Sequence, residues 1–531
     1  MGENANTAGV YVFTGLLTQR SALSVGGSDE AGLLDDVVCR DGLGRPTLRG
    51  SNMAGNLFDT LRKLGYPELP AVVTGNAITK RNDEFIGESV VRVWASHPKA
   101  IWHATAASDV PAYPRQSNGI RQDTGAAQTG ALFDLEVLPV DTQWPFVIEF
   151  DAWRYTQLME GRQFTKLMQG SGDWSALQAL GALRAAISQW EAGFCWIGRG
   201  VARGMGWMVA SHVKTHAIPN DEALTWTAAA LFNDSIRRDF GKFVGTLPED
   251  DKAKPNPPPT EQSKVWGYIR INGMLTAGVR HDGYGLDSLS IGGHQSATDF
   301  ISLDAAHLTK PTDINSYKRT PDMSLAFSPR TAPDGKTVWE PYIPGSSIRG
   351  PLRHRLSHDR RALGEDVLDP VNGERYASAY GQGPAEPSPP MSGRYSLNEL
   401  FGELPSQAEE PSTHSARLLV RDAYLDAKSK SAWKYAVMQL HAEDEFTGGA
   451  FAGSKFDRLA ILKGRFEWEM VIEFPPYEEK QAAAAAKEIR ERIEQSGGHG
   501  VTVGGAQWRG HGWLTWSVYP SPANSDHQGA A

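Results

Sequence analysis

The spacing of apolar positions predicts the same series of elements twice along the chain. Residues 10–17 and 266–275 are apolar and rich in β-branched and aromatic side chains, which is typical of strands. Apolar residues then recur at helical spacing behind Gly50, and they predict a helix over 51–64 with one buried face formed by Met53, Leu57, Leu61 and Leu64.

The remaining periodic segments complete an alternating order. Strands are predicted at 133–138 and 145–150, which we expect to pair with each other, and helices at 177–190 and 482–493. Each helix is followed by a glycine-rich loop and a last strand, at 207–214 and 513–519. The β-α-β and β-α-β order predicts an α+β protein built from ferredoxin-like units.

Four landmarks recur in the same order in the two parts of the chain. They are Leu23 to Gly27 and Leu289 to Gly293; Pro46 to Asn52 and Pro341 to Ser347; the pattern T-G-x-A-x-x-G-x-x-F-D at 124–134 and 447–457; and the pattern [IV]-G-x-x-x-x-R-G-x-G-W ending at Trp207 and Trp513. Identities at fixed spacing within each landmark indicate an internal duplication in which each copy carries its own insertions.

A charged and proline-rich segment separates the two copies. Such a composition is typical of a semi-rigid spacer without a core of its own. We therefore predict a first domain over 1–245, a linker over 246–264, a second domain over 265–520 and a C-terminal tail over 521–531.

Composition narrows the class of protein. The 531 residues carry a net charge of −9, which excludes a uniformly basic coat, so that nucleic-acid binding requires a local basic groove. The 2 cysteines, Cys39 and Cys195, provide neither a disulfide framework nor a cysteine-based zinc cluster. With no membrane-length apolar run or signal sequence, we expect a cytoplasmic protein without membrane partners.

The glycine-rich loops suggest an anion site. A dinucleotide fingerprint requires a helix start after the glycine turn, whereas here a helix precedes the loop and a strand follows, so we reject that interpretation. Backbone amides without a neighbouring Cβ can approach phosphates, with arginines supplying charge; a tight structural connection is the alternative. The candidates for RNA binding are Gly198, Arg199, Arg203, Gly204 and Gly206 in the first copy, and Gly504, Gly505, Arg509, Gly510 and Gly512 in the second.

The helix starts of the second landmark are further candidates, because helix N-termini attract anions. We expect the hydroxyl groups there also to cap the helices. The residues are Arg49, Ser51 and Asn52 in the first copy and Ser346, Ser347, Arg349 and Arg353 in the second. His354 and His358 have metal-ligand spacing, but Arg355 occupies the position where a zinc hydrolase needs glutamate.

Taken together, these motifs resemble the RAMP superfamily, the repeat-associated proteins of CRISPR systems, and above all the backbone subunit of type III effector complexes. The resemblance rests on Gly26-Gly27, the acidic loop that follows, Gly44 to Ser51, the T-G-x-A pattern and the R-G-x-G loops. It implies a tandem fusion of two modified ferredoxin-like (RRM-like) domains, each with a thumb hairpin and insertions. Such units stack along a guide RNA with other effector subunits and bind the complementary target RNA.

The resemblance also assigns residues. It adds Gly26, Gly27 and Arg45 to the RNA-binding set, and it places thumb hairpins near Arg115 and Arg121 and near 434–446. A loop aspartate before an apolar strand is needed for target cleavage in this family, which implies Asp35 as catalytic residue, with Asp36 as a neighbour that also suits Mg²⁺ or another divalent metal. Asp35 is either a general base or an organiser of the metal.

The second copy departs from the pattern, because the stretch between Gly293 and Gly345 is longer than the stretch between Gly27 and Gly50. Asp322 is the candidate catalytic residue there, with Asp304 and Asp313 as rivals. Two alternatives stay open: a structural subunit that binds guide RNA without cleavage, and an endoribonuclease that processes CRISPR transcripts, for which His499 and His511 are the candidate acid–base groups.

Overall fold

The structure is a computed structural model, and two sequence ranges contribute separate sheets. We call residues 9–219 the N-terminal region and residues 265–519 the C-terminal region. The described residues are 9–27, 36–66, 89–99, 110–120, 127–160, 175–219, 265–278, 289, 292–293, 324–332, 336–365, 393–402, 415–430, 432–441, 449, 456–494, 501–505 and 510–519.

The N-terminal region contains a five-stranded antiparallel sheet with the strand order β2-β5-β1-β7-β6. Its strands are β1 (Val10–Gln19), β2 (Val91–Val93), β5 (Gln143–Asp151), β6 (Cys195–Trp196) and β7 (Trp207–Ile218). A separate two-stranded hairpin is formed by β3 (Tyr113–Ile120) and β4 (Ala127–Val137). This hairpin lies where the first thumb was predicted.

The described residues of the N-terminal region form the α-helices α1 (Gly50–Lys63), α2 (Ala152–Glu160) and α3 (Ala176–Glu191). Helix α3 begins with a capping box, in which Ser175 and Gln178 each satisfy a backbone N–H group of the other. The buried faces of α1 and α3 pack on one side of the sheet, where Leu57 and Leu183 share a core with Phe13 and Ile148. The helices predicted over 51–64 and 177–190 are confirmed.

The C-terminal region contains the largest sheet, which has eight strands and the path β11-β12-β14-β16-β8-β17, with β13 and β15 also paired to β16. The strands of this region are β8 (Gly267–Ala277), β9 (Gly292–Gly293), β10 (Ser324–Leu325), β11 (Phe327–Thr331), β12 (Thr337–Ile343), β13 (Leu418–Val420), β14 (Ala423–Leu425), β15 (Lys434–Leu440), β16 (Phe456–Phe474) and β17 (Thr515–Val518). Strands β9 and β10 form a two-stranded sheet of their own.

Its helices are α4 (Gly345–Ala362), α5 (Leu397–Phe401) and α6 (Glu479–Glu494). The predicted helix over 482–493 is confirmed, and its buried alanines and isoleucines share a core with Trp468 and Trp516. Within the described residues, no helix has the length and apolar character needed to cross a membrane.

Both regions place their strands in equivalent order. In the N-terminal region β5 lies between β2 and β1, and β7 follows on the far side of β1; in the C-terminal region β16 lies between β13 and β8, and β17 follows on the far side of β8. All these pairs are antiparallel. The order is compatible with the ferredoxin-like fold predicted for each copy.

The expected pairing of residues 133–138 with 145–150 is wrong. Strand β4 pairs with β3, whereas β5 pairs with β1 and β2. The corresponding stretch of the C-terminal region is the single strand β16 of 19 residues, which pairs first with β15 and then with β8. Residues 133–138 and 145–150 together therefore correspond to the single strand β16. The chain between them is interrupted near Asp141, whose φ angle is 64°.

The two regions contact each other through an apolar cluster. Trp207 of the N-terminal region is fully buried together with Leu419 and Val471 of the C-terminal region. Beside them Phe194 stacks on Tyr268, with ring centroids 4.4 Å apart. This packing joins the end of the N-terminal sheet, at the start of β7, to a face of the C-terminal sheet.

Ion pairs surround the apolar cluster. Glu469 of β16 contacts Arg20 of the N-terminal region at 2.5 Å, and it also contacts Arg270 and Arg421 at 3.0 and 3.3 Å. Burial alone raises the pKa of Glu469, but Arg421, Arg20 and Arg270 together hold it below its usual value. Lys63 Nζ lies 2.5 Å from the carboxylate of Glu473 on the same sheet.

Candidate nucleic-acid interface

The two glycine-rich loops share left-handed backbone angles at three matching glycines. We call residues 198–206 the first glycine loop and residues 504–512 the second glycine loop, of which 506–509 lie outside the described residues. Left-handed φ angles occur at matching positions of the two loops: 88°, 115° and 73° at Gly198, Gly204 and Gly206, and 87°, 82° and 81° at Gly504, Gly510 and Gly512. Residues with a Cβ rarely adopt such angles, so both loops require glycine.

Matching hydrogen bonds close the loops. The N–H of Ile197 donates to Gly206 O over 2.9 Å, and the N–H of Val503 donates to Gly512 O over 3.0 Å. A Cβ on Gly206 or on Gly512 would lie 2.1 Å from the carbonyl oxygen of Ile197 or of Val503. The equivalence of the two loops thus extends from sequence to geometry.

The first glycine loop approaches the C-terminal region of the same chain. A Cβ on Gly204 would lie 2.0 Å from the Asp422 carboxylate, and a Cβ on Gly345 would lie 2.8 Å from the Cα of Gly204. Gly345 is the first residue of α4. Glycine is required here because a loop and a helix start from different regions meet backbone to backbone.

Asp422 is the centre of this contact. Its carboxylate is fully buried and accepts hydrogen bonds from the N–H of Gly345 at 2.7 Å, from Arg115 at 2.6 and 3.1 Å, and from the Tyr424 hydroxyl at 3.2 Å. Burial alone lowers the pKa of Arg115, but the adjacent Asp422 carboxylate raises it above its usual value. Asp422 was not among the predicted site residues, although its position between the apolar triplets of β13 and β14 marks it in the sequence.

This arrangement revises the predicted anion site at the start of α4. The carboxylate of Asp422 occupies the helix N-terminus where we expected a phosphate. Pro344 is the N-cap residue and makes no side-chain cap, so the expected capping by Ser346 and Ser347 is wrong. Arg115 is likewise bound to Asp422, and the RNA surface proposed below therefore excludes it.

Helix α1 begins differently. Its N-cap is Arg49, again without a side-chain cap, so the expected capping by Ser51 is also wrong. Arg49 and Ser51 are exposed, and Asn52 is half-buried. Arg45 is instead held by Asp41 at 2.6 Å; burial alone raises the pKa of Asp41, whereas its hydrogen bonds with Arg45 lower it below the usual value.

The segment around the proposed catalytic loop is anchored by the first glycine loop. Arg199 forms an ion pair with Asp36 and lies against Gly26, where a Cβ would come within 3.1 Å of its guanidinium. The N–H of Gly27 donates to Val37 O over 2.9 Å, which fixes both ends of the intervening loop. Because Arg199 holds its carboxylate, Asp36 does not fit a metal ligand in this arrangement.

Several predicted site residues lie outside the described residues: Asp35, Asp322, Arg121 and Arg509, together with His499. Among the residues that are described, no three His, Cys, Asp or Glu side chains are grouped so as to hold a metal ion. His511 is buried. Burial, followed by Arg361, His358 and Arg355, lowers the pKa of His354.

Arginines from both regions meet beside Gly204 and Gly345. We call Arg203, Arg349 and Arg353 the arginine junction. Arg349 donates to Phe401 O, and the guanidinium carbons of Arg349 and Arg353 lie 5.5 and 5.6 Å from the centre of the Phe401 ring. Arg203 lies 5.3 Å over the ring of Phe133 on the hairpin.

The arginine junction is electrostatically unbalanced. Burial, followed by the charges of Arg353 and Arg203, lowers the pKa of Arg349 to about 10. Burial and the charge of Arg115 lower the pKa of Arg203. Within the described chain neither Arg203 nor Arg349 has a carboxylate partner, and Nε of Arg349 is buried without a hydrogen bond. An anion at this position would relieve the repulsion.

Comparison with known proteins agrees with part of this picture. The family model of the RAMP superfamily matches residues 330–515, which extend from β11 to the start of β17 and include α4 and the second glycine loop. The C-terminal region is thus similar to a CRISPR-associated RAMP module, a family linked to RNA. No curated protein matches the chain.

Proposed function

We propose that this chain is an RNA-binding backbone subunit of a type III CRISPR effector complex, made of two RAMP domains in tandem on either side of the linker at 246–264. The RAMP match in the C-terminal region supports the family. The equivalent strand orders and the equivalent glycine loops support a second unit of the same kind in the N-terminal region.

The arginine junction is the observation that carries the RNA-binding proposal. Arg203 is exposed and Arg349 is half-buried with its Nε unbonded, and a phosphate would supply both the negative charge and the acceptors that these guanidinium groups lack. Arg203 and Arg349 come from different regions, so one phosphate there would bridge them. The exposed cations Arg49 and Arg199 provide further contacts along the N-terminal side.

We extend the proposal to target cleavage at Asp35, and at Asp322 in the second copy. As general base, the Asp35 carboxylate accepts the proton of a ribose 2′-OH, whose oxygen attacks the adjacent phosphorus. The bond to the 5′ oxygen of the next nucleotide breaks, that oxygen takes a proton from water, and the products are a 2′,3′-cyclic phosphate and a 5′-hydroxyl. A divalent cation such as Mg²⁺ belongs to the proposal as a requirement to be tested.

RNA binding is tested by titrating labelled guide-length RNA at several salt concentrations. Arg203→Gln and Arg349→Gln should each weaken binding and flatten the dependence of log K on log salt by about 0.7, the value for one phosphate of a single strand. Lys487→Gln removes an equal charge from the exposed side of α6 and is the matched control. Slopes equal to the control in both variants would refute the assignment.

Cleavage is tested in the assembled complex with labelled complementary RNA, with and without EDTA. Asp35→Ala should abolish one of the spaced cuts while target binding is retained, and Asp322→Ala should abolish a different one. A variant that cuts at every site like the wild type removes that aspartate from the mechanism. Persistence of all cuts in both variants favours a structural subunit.

A further inference from the structure

Asp422 connects the two backbone segments that carry the arginine junction. Its N–H donates to Gly204 O over 3.3 Å, and its carboxylate accepts the N–H of Gly345 at 2.7 Å. Gly204 directly follows Arg203 in the first glycine loop. Gly345 lies four residues before Arg349 in α4, and residues with this spacing share one face of a helix. A single buried residue therefore holds the segments of both arginines.

The two segments meet without space between them. A Cβ on Gly345 would lie 2.8 Å from the Cα of Gly204 and 3.0 Å from the carbonyl carbon of Arg203. Because the backbones are already in contact, the loop can move only away from the helix start, and the two hydrogen bonds of Asp422 oppose that movement. The separation of Arg203 from Arg349 depends on this contact.

The charge of Asp422 is balanced within the same contact. Arg115 of the hairpin donates to the carboxylate at 2.6 and 3.1 Å. The Tyr424 hydroxyl donates to it at 3.2 Å and accepts the N–H of Ala22 at 3.3 Å. The ion pair is formally neutral, so a phosphate bound beside it would meet no uncompensated carboxylate. The buried pair thus supports the junction without repelling an anion.

We propose that Asp422 is a positioning residue for RNA, because it holds the first glycine loop on the start of α4 and so keeps Arg203 and Arg349 at the separation that one phosphate bridges. This role rests on the proposed function of the arginine junction and extends it to a residue that is fully buried and does not touch RNA. Coulomb's law alone predicts the opposite role, since a carboxylate near the cations should weaken the binding of an anion.

The test compares Asp422→Ala with Asp422→Asn, each combined with Arg115→Met. Both double variants lose the same two charges, so their net charge equals that of the wild type and no buried arginine is left unpaired at this position. The amide oxygen of asparagine can still accept the N–H of Gly345, whereas alanine has no acceptor. The two variants therefore differ in the hydrogen bond that joins the loop to α4.

Affinity for labelled guide-length RNA is measured over a range of salt concentrations. Asp422→Ala with Arg115→Met should bind about tenfold more weakly than the wild type and lose about 0.7 in the log–log slope, because the phosphate no longer reaches both arginines. Asp422→Asn with Arg115→Met should keep the wild-type affinity and slope. Equal affinities and slopes of the two double variants would overturn the inference.

Two further variants separate positioning from a general loosening of the structure. Glu473→Ala with Lys63→Met removes another ion pair between the two regions, again without a change of net charge, and should bind RNA like the wild type. Asp422→Glu keeps every charge, but its longer side chain pushes the helix start away from Gly204, so it should weaken binding even if the alanine variant does not fold. Wild-type affinity of Asp422→Glu, or an equal loss in the Glu473 variant, overturns the inference.

The arginine variants distinguish the two proposals. If Arg203→Gln and Arg349→Gln bind RNA like the wild type, the RNA-binding proposal fails and the positioning role fails with it. If both weaken binding while the two double variants at position 422 agree with each other, only the positioning role of Asp422 fails.

Discussion

The two glycine loops have the same left-handed angles at three matching glycines but lie in different surroundings. The first is packed against Asp422 and Gly345 of the neighbouring region, whereas a Cβ on Gly510 of the second would meet no described atom within 4 Å. The conformation therefore depends on the loop's own closing hydrogen bond and on glycine, and not on the partner. The partner determines which residues around the loop are buried and how their charges are balanced.

The same contrast separates residues that hold the chain together from residues that are available to ligands. At the first loop the buried carboxylate of Asp422 satisfies Arg115 and the start of α4. Arg203 in the first glycine loop and Arg349 in α4 have no carboxylate partner within the described chain. Closely spaced arginines in one contact thus have different roles, which depend on where the carboxylate lies.

The largest effect should come from removing the Asp422 charge. Asp422→Asn leaves Arg115 buried without a counter-charge, which should lower the free energy of unfolding by about 3–5 kcal/mol. Arg115→Met, which removes the buried cation, should recover part of that loss in the double variant. Urea unfolding of the four proteins measures the coupling, and strictly additive losses would contradict the role of Asp422.

The matched glycines give the next largest effect. Gly204→Ala combines a left-handed φ with a clash against Asp422 and should lower the free energy of unfolding by about 3 kcal/mol, whereas Gly510→Ala bears the φ penalty alone, about 1 kcal/mol. Both are read from the same unfolding curves. Equal losses would mean that the second loop is as tightly packed as the first.

A smaller effect depends on pH and differs between Glu149 of the N-terminal sheet and Glu473 of the C-terminal sheet. Burial raises the pKa of Glu149 from 4.5 to about 7, although Arg92 and Trp94 oppose the shift. Between these values the folded state binds a proton that the unfolded state lacks, so the contribution of Glu149 to stability is greatest below the unfolded pKa and falls by up to about 1.4 kcal/mol per pH unit until the pH passes the folded pKa near 7.

Glu149→Gln should remove this dependence and stabilise the protein at pH 8. Glu473, the matching residue of the C-terminal region, is paired with Lys63, and Glu473→Gln should destabilise the protein at the same pH. Thermal unfolding across the pH range compares the two variants. Loss of stability in Glu149→Gln at pH 8 would contradict the assignment.

The sequence predicted the parts of the fold that depend on local patterns. Apolar spacing identified α1, α3 and α6 and the first and last strands of each region, because one buried face imposes a fixed period. The pattern alone did not show that β4 and β5 pair with different strands and not with each other. Strand pairing depends on the fold of the whole chain, which a local pattern does not contain. The contact of Asp422 with Arg115, Gly204 and Gly345 joins distant segments, and no local signal pairs them.

The site was predicted only in part for the same reason. The glycine loops were found because their φ angles require a particular residue at particular positions. The distinction between Arg115, which is neutralised, and Arg203, which is not, depends on one aspartate from the other region.

The central claim, that one RNA phosphate is held jointly by the two regions, is tested most directly by a double-mutant cycle of RNA affinity. Arg203→Gln, Arg349→Gln and the double variant are compared with the wild type over a range of salt concentrations. If both arginines hold the same phosphate, the double variant should lose no more salt dependence than either single variant, about 0.7 in the log–log slope. Additive losses, or affinities that none of the substitutions changes, would contradict the claim.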